Sequence, residues 1–100
     1  MIYCIDVDGT ICNERKDFNY YKAEPIPEMV KKINMLYMAG HTIKIFTARG
    51  MARGEDFKAL TEFQLNQWGV KYHELIMGKP SADVYVDDKA MLPHDFTLIY

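Results

Sequence analysis

The stretch Ile2-Tyr3-Cys4-Ile5-Asp6-Val7-Asp8-Gly9-Thr10 carries two opposed signals. Residues 2–7 are β-branched or aromatic and apolar at nearly every position, which predicts a central strand buried on both faces. Asp6 interrupts the run and Gly9 ends it. A carboxylate inside an apolar buried strand is costly unless it is paired or metal-bound. Asp8-Gly9 also reads as a plain turn signal, which is the structural alternative.

Outward from this strand the chain alternates. Residues 9–24 mix Asn13, Glu14, Arg15, Lys16 and Asp17 with Phe18, Tyr20 and Tyr21, and read as a long irregular excursion of the kind that is often functional. A helix then runs from Pro27, suited to a first turn, to Gly40, suited to a stop. Ile26, Met29, Val30, Ile33, Leu36 and Tyr37 recur along it at helical spacing. Residues 42–47 (TIKIFT) form a second strand. Residues 48–54 (ARGMARG) make a glycine-bounded loop, and a second helix is expected from about Glu55 to Trp68. YHELIM (72–77) reads as a third strand, DVYVD (83–87) as a fourth and the terminal TLIY as a short fifth.

Strands alternating with helices imply a parallel sheet with right-handed crossovers. The predicted fold is α/β, a Rossmann-like three-layer sandwich with a mainly parallel sheet of about five strands, in one domain over residues 1–100. One connection is uncomfortable. If the third strand is an edge and the fourth lies across the sheet, Gly78 to Asp83 must span roughly 20 Å, near the limit of about 3.4 Å per residue. A short or distorted third strand is therefore expected.

Composition narrows the function. Of 100 residues, 49% are apolar, and the net charge is -2, from 12 basic and 14 acidic side chains. That apolar fraction excludes disorder. The charge balance argues against a nucleic-acid partner, which usually demands a basic excess. No apolar run approaches the ~20 residues of a membrane span, so no membrane partner is expected. The start of the chain lacks the marks of a signal peptide, and Cys4 and Cys12 suit free thiols, so a cytoplasmic protein is expected.

In an open α/β sheet ligands bind at the carboxyl ends of the strands. Asp6 and Asp8 follow strand one, Thr47 ends strand two with Arg49 just beyond, Lys79 follows strand three, and Asp87 and Asp88 end strand four. Four carboxylates in one cleft raise one another's pKa and call for a cation. Oxygen ligands without His or Cys favour Mg²⁺. Threonine, lysine and backbone N–H groups are phosphate binders. Together these make a kit for phosphoryl transfer.

Asp6-Val7-Asp8-Gly9-Thr10 resembles the first motif, DxDGT, of the haloacid dehalogenase superfamily of phosphatases. Phe46-Thr47 resembles its second motif, Lys79 its third and Val86-Asp87-Asp88 its fourth, in the same order and over nearly the whole chain. The resemblance implies a minimal catalytic core without a cap domain, because neither interval between motifs has room for one. It implies a Mg²⁺-dependent phosphomonoester hydrolase. Asp6 would be the nucleophile that becomes an aspartyl phosphate, and Asp8 the acid and then the base. Gly9 would let the backbone turn towards the phosphate, Thr47 would hydrogen-bond it and Lys79 would offset its charge. Asp87 would bind the metal with Asp6 and the Asp8 carbonyl. Asp88 would bind it through water or orient its neighbours.

Arg49 suits phosphate or substrate contact, with a structural ion pair as its alternative. Arg53, Lys16 and Tyr21 are weaker candidates for substrate contact, with solvated loop residues as the alternative. Cys12 has no neighbouring base and reads as a small loop residue. The phrases 36–41 (LYMAGH), 47–51 (TARGM) and 79–83 (KPSAD) resemble small bacterial phosphatases of capsule or surface polysaccharide synthesis, which implies a small phosphorylated substrate such as a sugar phosphate. Two alternatives stand beside this reading: a receiver-like phospho-acceptor domain, and a nucleic-acid 3′-end phosphatase. The lid over the substrate is expected from the 9–24 loop, the 48–54 loop or another subunit of a homo-oligomer.

Overall fold

A computed structural model describes residues 1–14, 17 and 19–99. The strands are β1 (Ile2–Ile5), β2 (Thr42–Thr47) and β3 (Glu74–Met77), and the helices α1 (Pro27–Met38), α2 (Lys58–Gln67) and α3 (Pro93–Leu98). A 3-10 turn, Tyr20–Lys22, lies in the excursion after β1. The strands form one parallel sheet in chain order, with Ile5 opposite Ile45 and Ile45 opposite Leu75.

Local chemistry sets these elements. Pro27 sits in the first turn of α1, where its missing N–H costs nothing. Gly40 closes that helix at φ +94°, with His41 N–H donating to Leu36 C=O and Gly40 N–H to Tyr37 C=O. Gly69 ends α2 by the same paired bonds, from Val70 to Leu65 and from Gly69 to Asn66. β3 is four residues long, short as expected, although the fourth strand whose distance was to shorten it is not in the sheet. β2 alternates, burying Ile43, Ile45 and Thr47.

Right-handed crossovers between strands in chain order put α1 and α2 on one face of the sheet. There Ile5, Ile43 and Ile45 join Ile33, Leu36, Leu65 and Val70 in the core. Phe96 of α3 meets Tyr3 edge-on at 5.7 Å between ring centroids. The opposite face carries Ile2, Cys4, Lys44 and Glu74. Ile2 is 67% exposed, Cys4 is exposed, and Lys44 pairs with Glu74 at 3.7 Å. Among the described residues the fold therefore has two layers where three were expected, and β1 is buried on one face where two were expected.

Two further expectations are corrected. The fifth strand is a helix: Pro93 starts it, Asp95 lies in its first turn, and Thr97 Oγ1 donates to His94 C=O at 2.7 Å. Leu92, Phe96 and Ile99 share a helical period, which the β-branched look of TLIY obscured; Tyr100 lies outside the described residues. The fourth strand is also missing from the sheet. Residues 83–87 belong to a run, 80–92, in which every residue is exposed. The sheet among the described residues thus has three strands, not five. No described helix is long and apolar enough to cross a membrane.

Candidate active site

Asp6 leaves the carboxyl end of β1, and the chain turns at once. Val7 C=O accepts the N–H groups of Thr10, Ile11 and Cys12 at 3.1, 2.8 and 3.2 Å. Gly9 occupies φ +80°, which L side chains rarely adopt, and donates to Cys12 C=O. This turn sets the Asp6 and Asp8 side chains on the rim of one cleft.

The end of β2 organises the other wall. Thr47 C=O accepts both Gly78 N–H and Lys79 N–H, at 3.2 and 3.1 Å, which fixes where the chain leaves β3. Thr47 Oγ1 accepts Arg49 N–H at 3.1 Å. Lys79 Nζ then lies 3.6 Å from Asp6 Oδ1 and 4.1 Å from the Tyr85 ring centroid. The cleft has a volume of about 460 Å³ and is lined by Asp6, Asp8, Thr47, Arg49 and Lys79 together with Glu14, Tyr20, Arg53, Phe57, Ser81 and Tyr85.

Arg49 is 2% exposed, and its donors are spoken for. Nε and Nη2 grip the two Asp8 oxygens at 2.9 Å each, a bidentate pair. Nη1 donates to Thr61 Oγ1 at 3.2 Å and to Gln64 Oε1 at 2.6 Å. The guanidinium lies 4.8 Å over the Tyr20 ring. Of its two readings, the ion pair is the one the geometry displays, so Arg49 positions Asp8. Thr61 and Gln64 escaped the sequence reading. Their signal was two polar residues three apart on one face of α2.

Burial pushes the Asp6 carboxyl above its ordinary value, opposed by Lys79. Burial, helped by the Asp8 charge, pushes the Cys12 thiol up to about 12, which removes its thiolate near neutrality. Arg53 borders the cleft, Tyr21 is exposed and does not line it, and Lys16 lies outside the described residues.

Asp87 and Asp88 are not brought to this cleft. They sit on the exposed 80–92 run, where the Lys89 N–H bonds Asp87 Oδ1 at 2.9 Å and holds that carboxyl below its ordinary value, helped by Asp88. No group of three or more His, Cys, Asp or Glu side chains that could hold a metal forms among the described residues. Within one chain Asp6 and Asp8 have Lys79 and Arg49 as counter-charges, and this donor set does not fit Mg²⁺.

No protein-family model and no curated protein matches the sequence. Solved structures do match. A structural-genomics target from Vibrio cholerae superposes with a TM-score of 0.90 at 24% identity, over 99% of this chain and 89% of that one. A chain of a Pnkp1/Rnl/Hen1 complex gives 0.61 at 22% identity, over 87% of this chain and 30% of that one. The D,D-heptose 1,7-bisphosphate phosphatase of B. bronchiseptica, solved with magnesium and phosphate, gives 0.58 at 22% identity, over 89% and 53%. The chain therefore shares its fold with the first structure almost end to end, and with the phosphatase over about half of that enzyme's length.

Proposed function

We propose that this chain is a phosphomonoester hydrolase of the haloacid dehalogenase type. The observation that carries the reading is the Asp6–Lys79 pair beside the Asp8–Arg49 pair, on one rim at the carboxyl end of a parallel sheet. The likeness to a phosphatase fold supports it.

In this reading a phosphate enters the cleft against Lys79 and the Thr47 hydroxyl. An Asp6 carboxylate oxygen attacks phosphorus, the P–O bond to the leaving group breaks, and an acyl phosphate forms on Asp6. Asp8 supplies the proton to the departing oxygen. It then takes one from the water that attacks phosphorus and frees Asp6. Both Asp8 oxygens are acceptors from Arg49 in this state, so one must leave the guanidinium before Asp8 donates. No step above is routed through a metal, because the residues gathered in this cleft do not fit Mg²⁺.

The substrate class follows from size and lining. A cleft of about 460 Å³ bordered by Tyr20, Phe57 and Tyr85 suits a phosphorylated sugar better than a polymer. The heptose bisphosphate named for one structural neighbour is of that class. A net charge of -2 disfavours the nucleic-acid alternative.

Asp6→Asn is expected to abolish hydrolysis of p-nitrophenyl phosphate while the circular-dichroism spectrum stays unchanged. Hydrolysis retained by the folded variant would overturn the mechanism. A labelled phosphoryl-Asp6 that persisted for hours would point to the receiver alternative.

A further inference from the structure

The two charge pairs take up only part of the cleft's lining. Glu14 and Tyr20, from the excursion after β1, line the rest with Arg53, Glu55 and Phe57, from the loop that leads into α2. The reaction above uses none of these side chains. A cleft of about 460 Å³ has room for a small ring beside the phosphate, so they are left to meet the leaving group.

The apolar part of this lining is held rigidly. Tyr20 and Phe57 meet edge to face, with ring centroids 5.0 Å apart and planes at 78°. Gln64 Nε2 donates to the Tyr20 carbonyl at 2.6 Å. Thr61 donates to the Phe57 carbonyl from its N–H at 2.9 Å and its Oγ1 at 2.7 Å. Both rings are thus tied to α2. Gly50 makes room for one of them, since a Cβ there would stand 3.0 Å from Phe57 Cδ2. The Gly50 carbonyl also accepts the Arg53 and Glu55 N–H groups at 3.3 and 3.0 Å. That turn brings their side chains together, Nη1 to Oε1, at 4.0 Å.

Charge decides what this part of the cleft admits. Lys79 answers Asp6 and Arg49 answers Asp8. Among the described lining residues that leaves Glu14 and Glu55 against Arg53. The Glu14 carboxylate lies over the Gly9 turn, with Oε2 3.9 Å from where a Gly9 Cβ would stand. A second phosphate would enter a net negative field and compete with Glu55 for Arg53. A hydroxyl meets no such barrier, because it can donate to a carboxylate and accept from a guanidinium. The apolar face of a ring can pack on the aromatic pair at the same time.

We propose that Tyr20, Phe57, Glu14, Arg53 and Glu55 form the leaving-group subsite, and that it selects a neutral, hydroxyl-bearing ring with a single phosphate. Tyr20 and Phe57 carry the ring. Glu14 and Glu55 are specificity residues that reject a second phosphate, so a sugar monophosphate is taken and a sugar bisphosphate refused. The assignment of the bound phosphate as the reacting group rests on the phosphatase reading above.

Equilibrium binding to the Asp6→Asn protein at low salt tests this without consuming the ligand. A hexose monophosphate is expected to bind about tenfold tighter than the matching hexose bisphosphate, the size of effect one extra carboxylate exerts on a phosphate at solvent-exposed range. Adding Glu14→Gln and Glu55→Gln should bring that ratio to about one or reverse it. Adding Phe57→Leu instead should weaken the hexose monophosphate more than inorganic phosphate. Equal binding of the two sugars, a ratio that the glutamine substitutions leave in place, or an equal loss of both ligands in Phe57→Leu overturns the subsite. Hydrolysis of p-nitrophenyl phosphate by the wild type separates the two readings. If hydrolysis is present and the ratio fails, the subsite falls and the mechanism stands. If hydrolysis is absent and the ratio holds, the phosphatase reading falls and the subsite stands as a binding site for sugar monophosphates.

Discussion

Asp8–Arg49 and Asp6–Lys79 are both acid–base pairs on one rim, and they are built for different ends. Arg49 is buried, bidentate on Asp8 and further held by Thr61 and Gln64. Lys79 makes one looser contact at 3.6 Å and rests on the Tyr85 ring. A planar guanidinium with every donor directed has no freedom left for a substrate. A lysine ammonium on a flexible stem keeps the freedom to turn from its carboxylate to the phosphate of the proposed reaction. Within a few ångströms the protein fixes Arg49 as the scaffold that positions Asp8 and leaves Lys79 with the looser contact.

Removing the scaffold side should show in stability first. Arg49→Ala leaves Asp8 largely buried without its counter-charge, a loss of about 3 kcal/mol. For a domain of this size that lowers Tm by roughly 12 °C or more, read by calorimetry. An Arg49→Ala protein that melted like wild type would erase the distinction between the pairs. The converse variant, Lys79→Met, should cost no more than about 1 kcal/mol of stability. Its activity should fall about 100-fold, because one phosphate-facing charge is gone. A smaller effect probes the loop behind Arg49. A Cβ at Gly50 would sit 2.0 Å from the Glu55 carbonyl oxygen, whereas one at Gly54 meets nothing within 4 Å, although both have positive φ. Gly50→Ala should therefore destabilise by about 2 kcal/mol more than Gly54→Ala, measured by urea unfolding.

The same contrast explains what could be read from the sequence. Asp6, Asp8, Thr47 and Lys79 stood out because strands end abruptly at polar residues, and strand ends converge wherever a parallel sheet forms. Both crossover helices were legible through spacing and through the glycines that close them. The Arg49 cradle was not, since Thr61 and Gln64 are ordinary residues for a helix, and only the tertiary arrangement turns them inward. The C-terminal third resisted for another reason. Residues 83–87 have strand chemistry, but a strand exists only where it pairs, and the described sheet holds β1, β2 and β3 alone. TLIY was misread because β propensity yields to a proline start and a helical repeat of Leu92, Phe96 and Ile99.

The smallest expected effect separates the pairs by pH. Burial raises the Asp6 carboxyl above its ordinary value of 3.8 despite Lys79 nearby. An acid raised on folding binds more protons folded than unfolded between those two values, so its contribution to stability falls as pH rises through that window. Above the window a constant penalty remains, the cost of holding the Asp6 carboxylate ionised in its cleft. Asp6→Asn removes this penalty. The variant should therefore melt at or slightly above the wild-type Tm at pH 7, with the difference vanishing below pH 3.8, while it is catalytically dead. A lower Tm for Asp6→Asn at pH 7 would mean that Asp6–Lys79 is a scaffold pair like its neighbour, and the division of labour on this rim would have to be drawn elsewhere.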